Sequence, residues 1–153
     1  MAQTTGAMSP QNMFLGFSTD GSTWTEVTGS SNSVSKSGGE RESGTARTFG
    51  YTAPIVKYGG KAPLRYTIRG VYSEVANEAY KLAQAAYDND TDFYFRYSPG
   101  GGDSGDLGFT SSAGKVMNPP YPDGSADTPD PILIEFDVEF ASLTQAAIGT
   151  AGW

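Results

Sequence analysis

The stretch from Ile132 to Phe140 (ILIEFDVEF) alternates apolar and charged residues without interruption. Successive strand side chains point to opposite faces, so Ile132, Ile134, Phe136, Val138 and Phe140 share one side and Glu135, Asp137 and Glu139 the other. Two residues of rise separate neighbouring carboxylates by about 6–7 Å. Like charges in a row repel, so this face must be solvated or must serve something that benefits from negative charge. Leu64 to Ser73 (LRYTIRGVYS) predicts a second strand, with Leu64, Tyr66, Ile68 and Gly70 facing one way and Arg65, Thr67, Arg69 and Val71 the other. Arg65 and Arg69 therefore share a face and offer a site for an anion, although such residues more often pair with acids or meet solvent. Thr91 to Ser98 predicts a third strand, aligning Phe93, Phe95 and Tyr97.

Shorter runs complete the pattern. Met13–Ser18 and Thr23–Val27 flank the turn Thr19-Asp20-Gly21-Ser22, and Asp-Gly between two β-rich runs signals a hairpin. Thr48–Lys57 is a strand interrupted by Pro54, while Leu107–Thr110 and Gly114–Met117 are expected to pair with each other. One helix is predicted, Glu74 to Tyr87, capped by Ser73, with Val75, Ala79, Leu82, Ala83 and Ala86 as its apolar stripe. Residues 1–12 read as a flexible arm, Asn118–Pro131 as a connection, and residues 142–153 as a small-residue tail ending on an exposed Trp153. The sum is seven or eight strands and one helix. This predicts a mainly β (α+β) fold, an antiparallel β-sandwich or half-barrel with one flanking helix, as a single domain over residues 1–153.

Thr28 to Arg47 breaks the pattern. Its twenty residues hold only two apolar side chains, Val34 and Ala46. Such composition does not repay its ordering entropy in isolation, and loops this long in compact folds are functional or disordered. It reads either as a surface loop or as a segment that orders against a neighbouring subunit.

Composition narrows the chemistry. With no cysteine and no histidine, the chain has no disulfides, no thiolate zinc site, no Ser-His-Asp triad and no imidazole acid–base chemistry. No window approaches 18 apolar residues and no basic-then-apolar leader is present, so a soluble protein without a membrane segment is expected. Asp88-Asn89-Asp90-Thr91-Asp92 imitates half a calcium loop, but Phe93 and Pro99 stand where the glycine and the bidentate glutamate are needed. Gly100-Gly101-Gly102 precedes no helix and no Lys-Ser/Thr, so it is no phosphate cradle. No catalytic constellation, metal site or cofactor is expected. The net charge of −7 is uneven: residues 1–73 carry 4 acids and 7 bases, residues 74–153 carry 13 acids and 3 bases. Acidic balance argues against ordinary phosphate-neutralising nucleic-acid binding. The asymmetry allows head-to-tail association of copies, unless folding mixes the two halves over the surface.

Three groups of segments carry a resemblance: Ser18-Thr19-Asp20-Gly21-Ser22-Thr23-Trp24-Thr25-Glu26-Val27 with Ser37-Gly38-Gly39-Glu40-Arg41; Gly70-Val71-Tyr72-Ser73-Glu74; and Tyr94-Phe95-Arg96-Tyr97-Ser98-Pro99-Gly100-Gly101. In that order, over residues 13–140, they resemble the major tail tube proteins of long-tailed, non-contractile (siphovirus-type) bacteriophages. The resemblance implies six copies in a ring whose inner wall is a continuous β-barrel, rings stacked into a tube, and DNA passing through it without specific binding. It implies further tail proteins (tape measure, tail tip, terminator) as partners, and a place in the virion after assembly from the host cytoplasm. Carried onto this chain, the family's assembly loop is Thr28–Arg47, with Ser31, Val34, Lys36, Glu40, Arg41, Glu42 and Arg47 as contact candidates. On that reading, deleting Gly29–Thr45 should block polymerisation while leaving the fold intact. Glu135, Asp137 and Glu139 become candidates for an acidic channel wall, over which DNA slides rather than sticks.

Two other readings stand beside it. A carbohydrate-binding or adhesin-like β-sandwich draws on the tyrosine and tryptophan supply. A virion decoration protein has similar composition.

Overall fold

The computed structural model describes residues 6, 8–50 and 52–153. Most of the arm read over residues 1–12 lies outside them; within it, Pro10–Asn12 form a turn of 3-10 helix. The strands are β1 (Phe14–Ser18), β2 (Thr25–Glu26), β3 (Ser31–Gly38), β4 (Arg41–Ala46), β5 (Ile55–Lys61), β6 (Leu64–Val71), β7 (Tyr94–Ser98), β8 (Leu107–Ser111), β9 (Gly114–Val116), β10 (Leu133–Phe140) and β11 (Leu143–Ala147), with one α-helix, α1 (Ala79–Asp88). A five-stranded sheet runs β11-β8-β7-β1-β2 and a four-stranded sheet β3-β6-β10-β9; β4 and β5 form a separate two-stranded ribbon. Every pairing is antiparallel. The fold is α+β, dominated by strands, as the alternation predicts.

The two large sheets face each other across an aromatic core. Tyr66, Ile68, Ile134, Phe136, Val138 and Phe140 point inward from the four-stranded sheet, and Leu15, Phe17, Phe93 and Phe95 meet them from the other side. Across the gap, Phe17 and Phe136 lie with ring centroids 6.0 Å apart at 76°, and Tyr66 and Phe95 lie 5.2 Å apart. Such tilted and edge-on pairs add to the area term that burial supplies. Helix α1 closes one end of the sandwich with Ala79, Tyr80, Ala83 and Ala86, all buried. Alanines at these positions let the helix backbone sit close to the core.

Several boundaries differ from expectation. The helix starts at Ala79, not Glu74: Asn77 adopts a left-handed backbone (φ 66°), and Val75, expected in the apolar stripe, is exposed. Ser73 does not cap it. The cap comes from far away in sequence, where the Ser30 hydroxyl accepts the Ala79 N–H at 3.2 Å. β8 and β9 do not pair with each other; β8 lies between β7 and β11, while β9 borders β10 in the opposite sheet. The expected strand over 48–57 begins only at Ile55, past Pro54, and continues to Lys61. The tail is not loose: Leu143–Ala147 form an edge strand on β8, and Trp153 is half-buried with its N–H donated to the Gly102 carbonyl at 3.0 Å.

The largest correction concerns Thr28–Arg47. It is not a loop. Thr28–Ser30 make a turn of 3-10 helix, Ser31–Gly38 pair along the whole of β6, and Arg41–Ala46 form one side of the ribbon. The apolar count misleads because β3 is an edge strand whose outward face needs only hydroxyls, and the ribbon buries none of its residues among the described ones.

Candidate assembly surfaces

The outward face of the four-stranded sheet gathers the residues that alternation singled out. The register sets Glu135 opposite Arg69, Asp137 opposite Thr67 and Glu139 opposite Arg65. On the far side of β6, Ser33, Ser35 and Ser37 stand opposite Arg69, Thr67 and Arg65. Lys115 of β9 stands opposite Glu139. The alternation fixes which face is inward, since a one-residue slip would turn Ile68 and Phe136 to solvent.

The row is therefore not a bare line of carboxylates. Arg65 Nη2 donates to Glu139 Oε2 at 2.8 Å, Arg69 Nε donates to Glu135, and the Thr67 hydroxyl donates to Asp137 Oδ1 at 2.6 Å. The Asp137 N–H is taken by the side-chain oxygen of Asn118 at 2.6 Å. Lys115 turns instead toward Asp90 and Asp92, at 3.4 and 3.3 Å. That contact accounts for part of the calcium-loop imitation. Asn89 accounts for the rest by ending α1, its side-chain amide donating to the Ala85 carbonyl. Three cations and three carboxylates share the face, all part-exposed; two arginines pair with two glutamates, while Asp137 is held by neutral groups and Lys115 pairs elsewhere, and the ion pairs are salt-screened.

The second surface is the ribbon. Every residue of β4 and β5 is exposed, including Ile55, Val56 and Tyr58, and Phe49 in their connection is fully exposed. It springs from the end of β3–β6 and continues their ladder: the Gly39 N–H bonds the Pro63 carbonyl, and the Ala62 N–H the Glu40 carbonyl. Gly38 takes φ 73° there, and a Cβ on it would meet the Pro63 carbonyl oxygen at 2.5 Å, so only glycine fits. Of the predicted contact residues, Arg41 and Glu42 lie on the ribbon, Glu40 at its root and Arg47 just beyond β4. Ser31, Val34 and Lys36 lie instead on β3; Ser31 and Val34 border a cleft of about 380 Å³ between β1 and β3, and Val34 packs against the core.

A third feature escaped the sequence reading. On the outer side of the five-stranded sheet, the Arg96 guanidinium lies among three rings, 4.6 Å from Trp24, 4.8 Å from Trp153 and 5.4 Å from Phe14. Desolvation there lowers its pKa, and its Nε is buried without a hydrogen-bond partner among the described residues. Cation–π attraction takes the place of a carboxylate. The cage fastens the chain end to the sheet, and Gly108 permits it, because a side chain there would strike the Trp153 ring.

Among the described residues no group of three or more acidic, histidine or cysteine side chains is placed to hold a metal, and no helix is long and apolar enough to cross a membrane. Neither a family model nor a curated protein matches the sequence. Solved structures do match. A chain of the sheath–tube complex of an extracellular contractile injection system, in its extended state, aligns with TM-score 0.65 at 12% identity, over 94% of each chain. A chain of the anti-feeding prophage baseplate, 6-fold symmetrised, aligns at 0.66 with 10% identity, over 95% of this chain and 99% of that one. A chain from the virion of a native gene transfer agent aligns at 0.66 with 12% identity, over 92% and 100%. The shared property is the fold, over nearly the whole length.

Proposed function

We propose that this chain is a tail tube protein: a structural, non-enzymatic subunit that assembles into stacked, six-membered rings and conducts DNA through their bore. The observation that carries the reading is the ribbon, thirteen strand residues with exposed isoleucine, valine and tyrosine and, among the described residues, no surface that buries them. An isolated two-stranded ribbon is marginal in water, so this one is built to be completed by another molecule. The fold shared with chains of a sheath–tube complex, a 6-fold baseplate and a gene transfer agent virion supports the same end.

In this reading the four-stranded sheet lines the bore. Its edges are β3, open along eight residues, and the short β9, whose Gly114 is already bonded to Phe93; pairing β3 of one copy with what remains of the β9 edge of the next covers both. Four strands spaced about 4.8 Å give each copy about 19 Å of wall, so six close a circle at least about 37 Å across at the backbone. Side chains narrow this to a bore that still admits a duplex. Arg65 and Arg69 are engaged by Glu139 and Glu135, so passing phosphates meet hydroxyls and carboxylates rather than free cations, and slide.

Negative-stain microscopy of the purified protein tests assembly: rings and tubes are expected, and a persistent ~16 kDa monomer at high concentration would refute the proposal. The wall assignment has its own test. Glu135→Gln, Asp137→Asn and Glu139→Gln together keep the polar contacts but free both arginines, so tubes should form and retain DNA. Unchanged DNA passage through such tubes would place this face elsewhere. The non-contractile assignment rests on the quoted segments alone, and finding a sheath around the native tube would replace it with a contractile tail.

A further inference from the structure

On the side of the five-stranded sheet turned away from the core, one cation has no counter-charge. The register sets Glu26, Gly16 and Arg96 in one row across β2, β1 and β7. Gly16 leaves the middle of the row open and the Arg96 stem lies over it: a Cβ on Gly16 would come within 3.2 Å of Arg96 Nε and 3.4 Å of its Cγ. Laid across β1 in this way, the guanidinium enters the walls formed by Trp24, Trp153 and Phe14. Arg65 and Arg69 each hold a glutamate, whereas Arg96 makes no hydrogen bond and no ion pair among the described residues. Its Nε is buried, but the side chain is only part-buried and its two Nη groups reach solvent. Glu26, the carboxylate in the same row, belongs to a strand two places away, about 10 Å across the sheet.

A guanidinium drawn partly out of water without an anion is costly, and ring faces offset only part of that cost. What is left over is a fork of N–H donors open to solvent between apolar walls. Such a fork matches a carboxylate, which takes two parallel charge-assisted hydrogen bonds from it. One guanidinium balances one negative charge, and the rings make a second charge costly to desolvate. A carboxylate therefore suits the site better than a phosphate dianion.

We propose that the Arg96 Nη pair, walled by Trp24, Trp153 and Phe14, is a binding site for a carboxylate from outside the chain. Trp153 comes from the final segment, so the site exists only while that segment is docked, and an occupied site should hold the segment in place. Where the four-stranded sheet lines a bore, this side of the other sheet faces outward from the wall. A single copy carries the whole site, so it stands or falls apart from the tube reading.

The chain's only two tryptophans both touch Arg96, so tryptophan emission of the full chain reports the site directly. Sodium acetate replaces sodium chloride at constant ionic strength, and a saturable change in emission is expected, half complete on the order of 1 mM. The net charge of −7 repels anions at large, so saturation reports one local site. Arg96→Lys keeps the charge without the fork and should weaken acetate at least about tenfold, with circular dichroism checking its fold. If that variant does not fold, the wild-type Arg96 Nε–H signal in nitrogen-edited NMR carries the test: it should shift with acetate while those of Arg65 and Arg69 stay. A short glutamate peptide titrated in the same way separates two sources of the carboxylate. Binding about tenfold tighter than acetate assigns the site to an acidic protein segment, and comparable binding assigns it to a free carboxylate. Emission and the Arg96 signal unchanged up to about 100 mM acetate, where even a weak fork is occupied, would overturn the site, as would an equal response in folded Arg96→Lys.

Discussion

At the residue scale, the clearest electrostatic feature is Asp20 in the turn after β1. Its carboxylate accepts the Thr23 N–H at 2.7 Å, the Ser22 N–H at 2.8 Å and the Ser18 hydroxyl at 2.9 Å. These contacts, the Thr23 and Ser22 amides first, hold its pKa well below the usual 3.8. A depressed carboxylate stabilises the fold fully above the unfolded value and less as pH falls through the folded one. Asp20→Ala should therefore lower Tm at neutral pH, with the gap to wild type closing as pH drops below about 3.8. Thermal melts from pH 7 to pH 2 measure this; a gap constant with pH would show that the turn depends on packing instead. Tyr72 shows the opposite sign, its hydroxyl pushed up to about 12 chiefly by donating to Glu74. The Asp-Gly signal located this turn correctly, but not that the Asp20 side chain, rather than a tight two-residue hairpin, organises six residues.

At the element scale, strands with uninterrupted alternation were legible and elements held by distant partners were not. β6, β7 and β10 lie where the pattern of two puts them, with Tyr66, Ile68, Phe95, Phe136 and Val138 inward. β3 was hidden because its pairing with β6 supplies the order that its own serines do not. The Arg96 cage was hidden because Phe14, Trp24 and Trp153 come from three segments. The acidic row was legible as a row, but the arginines opposite it depend on a register that one strand does not specify. Helix α1 makes the point testable. Its first N–H groups lack a local cap, and Ser30 serves Ala79 from 49 residues away while also donating to the Val27 carbonyl. Ser30→Ala should cost about 1 kcal/mol in urea unfolding. Ser73→Ala, the substitution suggested by the local sequence, should stay within about 0.5 kcal/mol, as surface changes do. The reverse ranking would mean that the helix begins near Glu74 in solution.

At the scale of the whole molecule, the body and the ribbon are separable, and this decides which deletion tests assembly. Removing Gly29–Thr45, as a loop reading invites, takes away Ser30 and all of β3 up to Gly38. Val34 and the strand covering one edge of β6 go with it, so loss of folding is the expected result and says nothing about assembly. Excising Arg41–Lys61 is different. Glu40 and Ala62 are already hydrogen-bonded across the ribbon's root at 2.8 Å, so a two-residue Asn-Gly turn can join them without moving β3 or β6. Every residue of β4 and β5 is exposed, so little apolar area is lost from the core. Replacing a long excursion by a tight turn also reduces the loop-closure entropy, by only about 0.6 kcal/mol per halving of length. The shortened protein should melt within a few degrees of wild type and remain soluble. It should form no tubes, because the exposed arm is gone while the β3 and β9 edges of the sheet are unchanged. Ring formation through those edges is then the discriminating observation. Rings without tubes would assign the ribbon to stacking and the sheet edges to closure. Tubes of normal length would free the ribbon from assembly altogether, and an unfolded product would make it part of the fold despite its exposure.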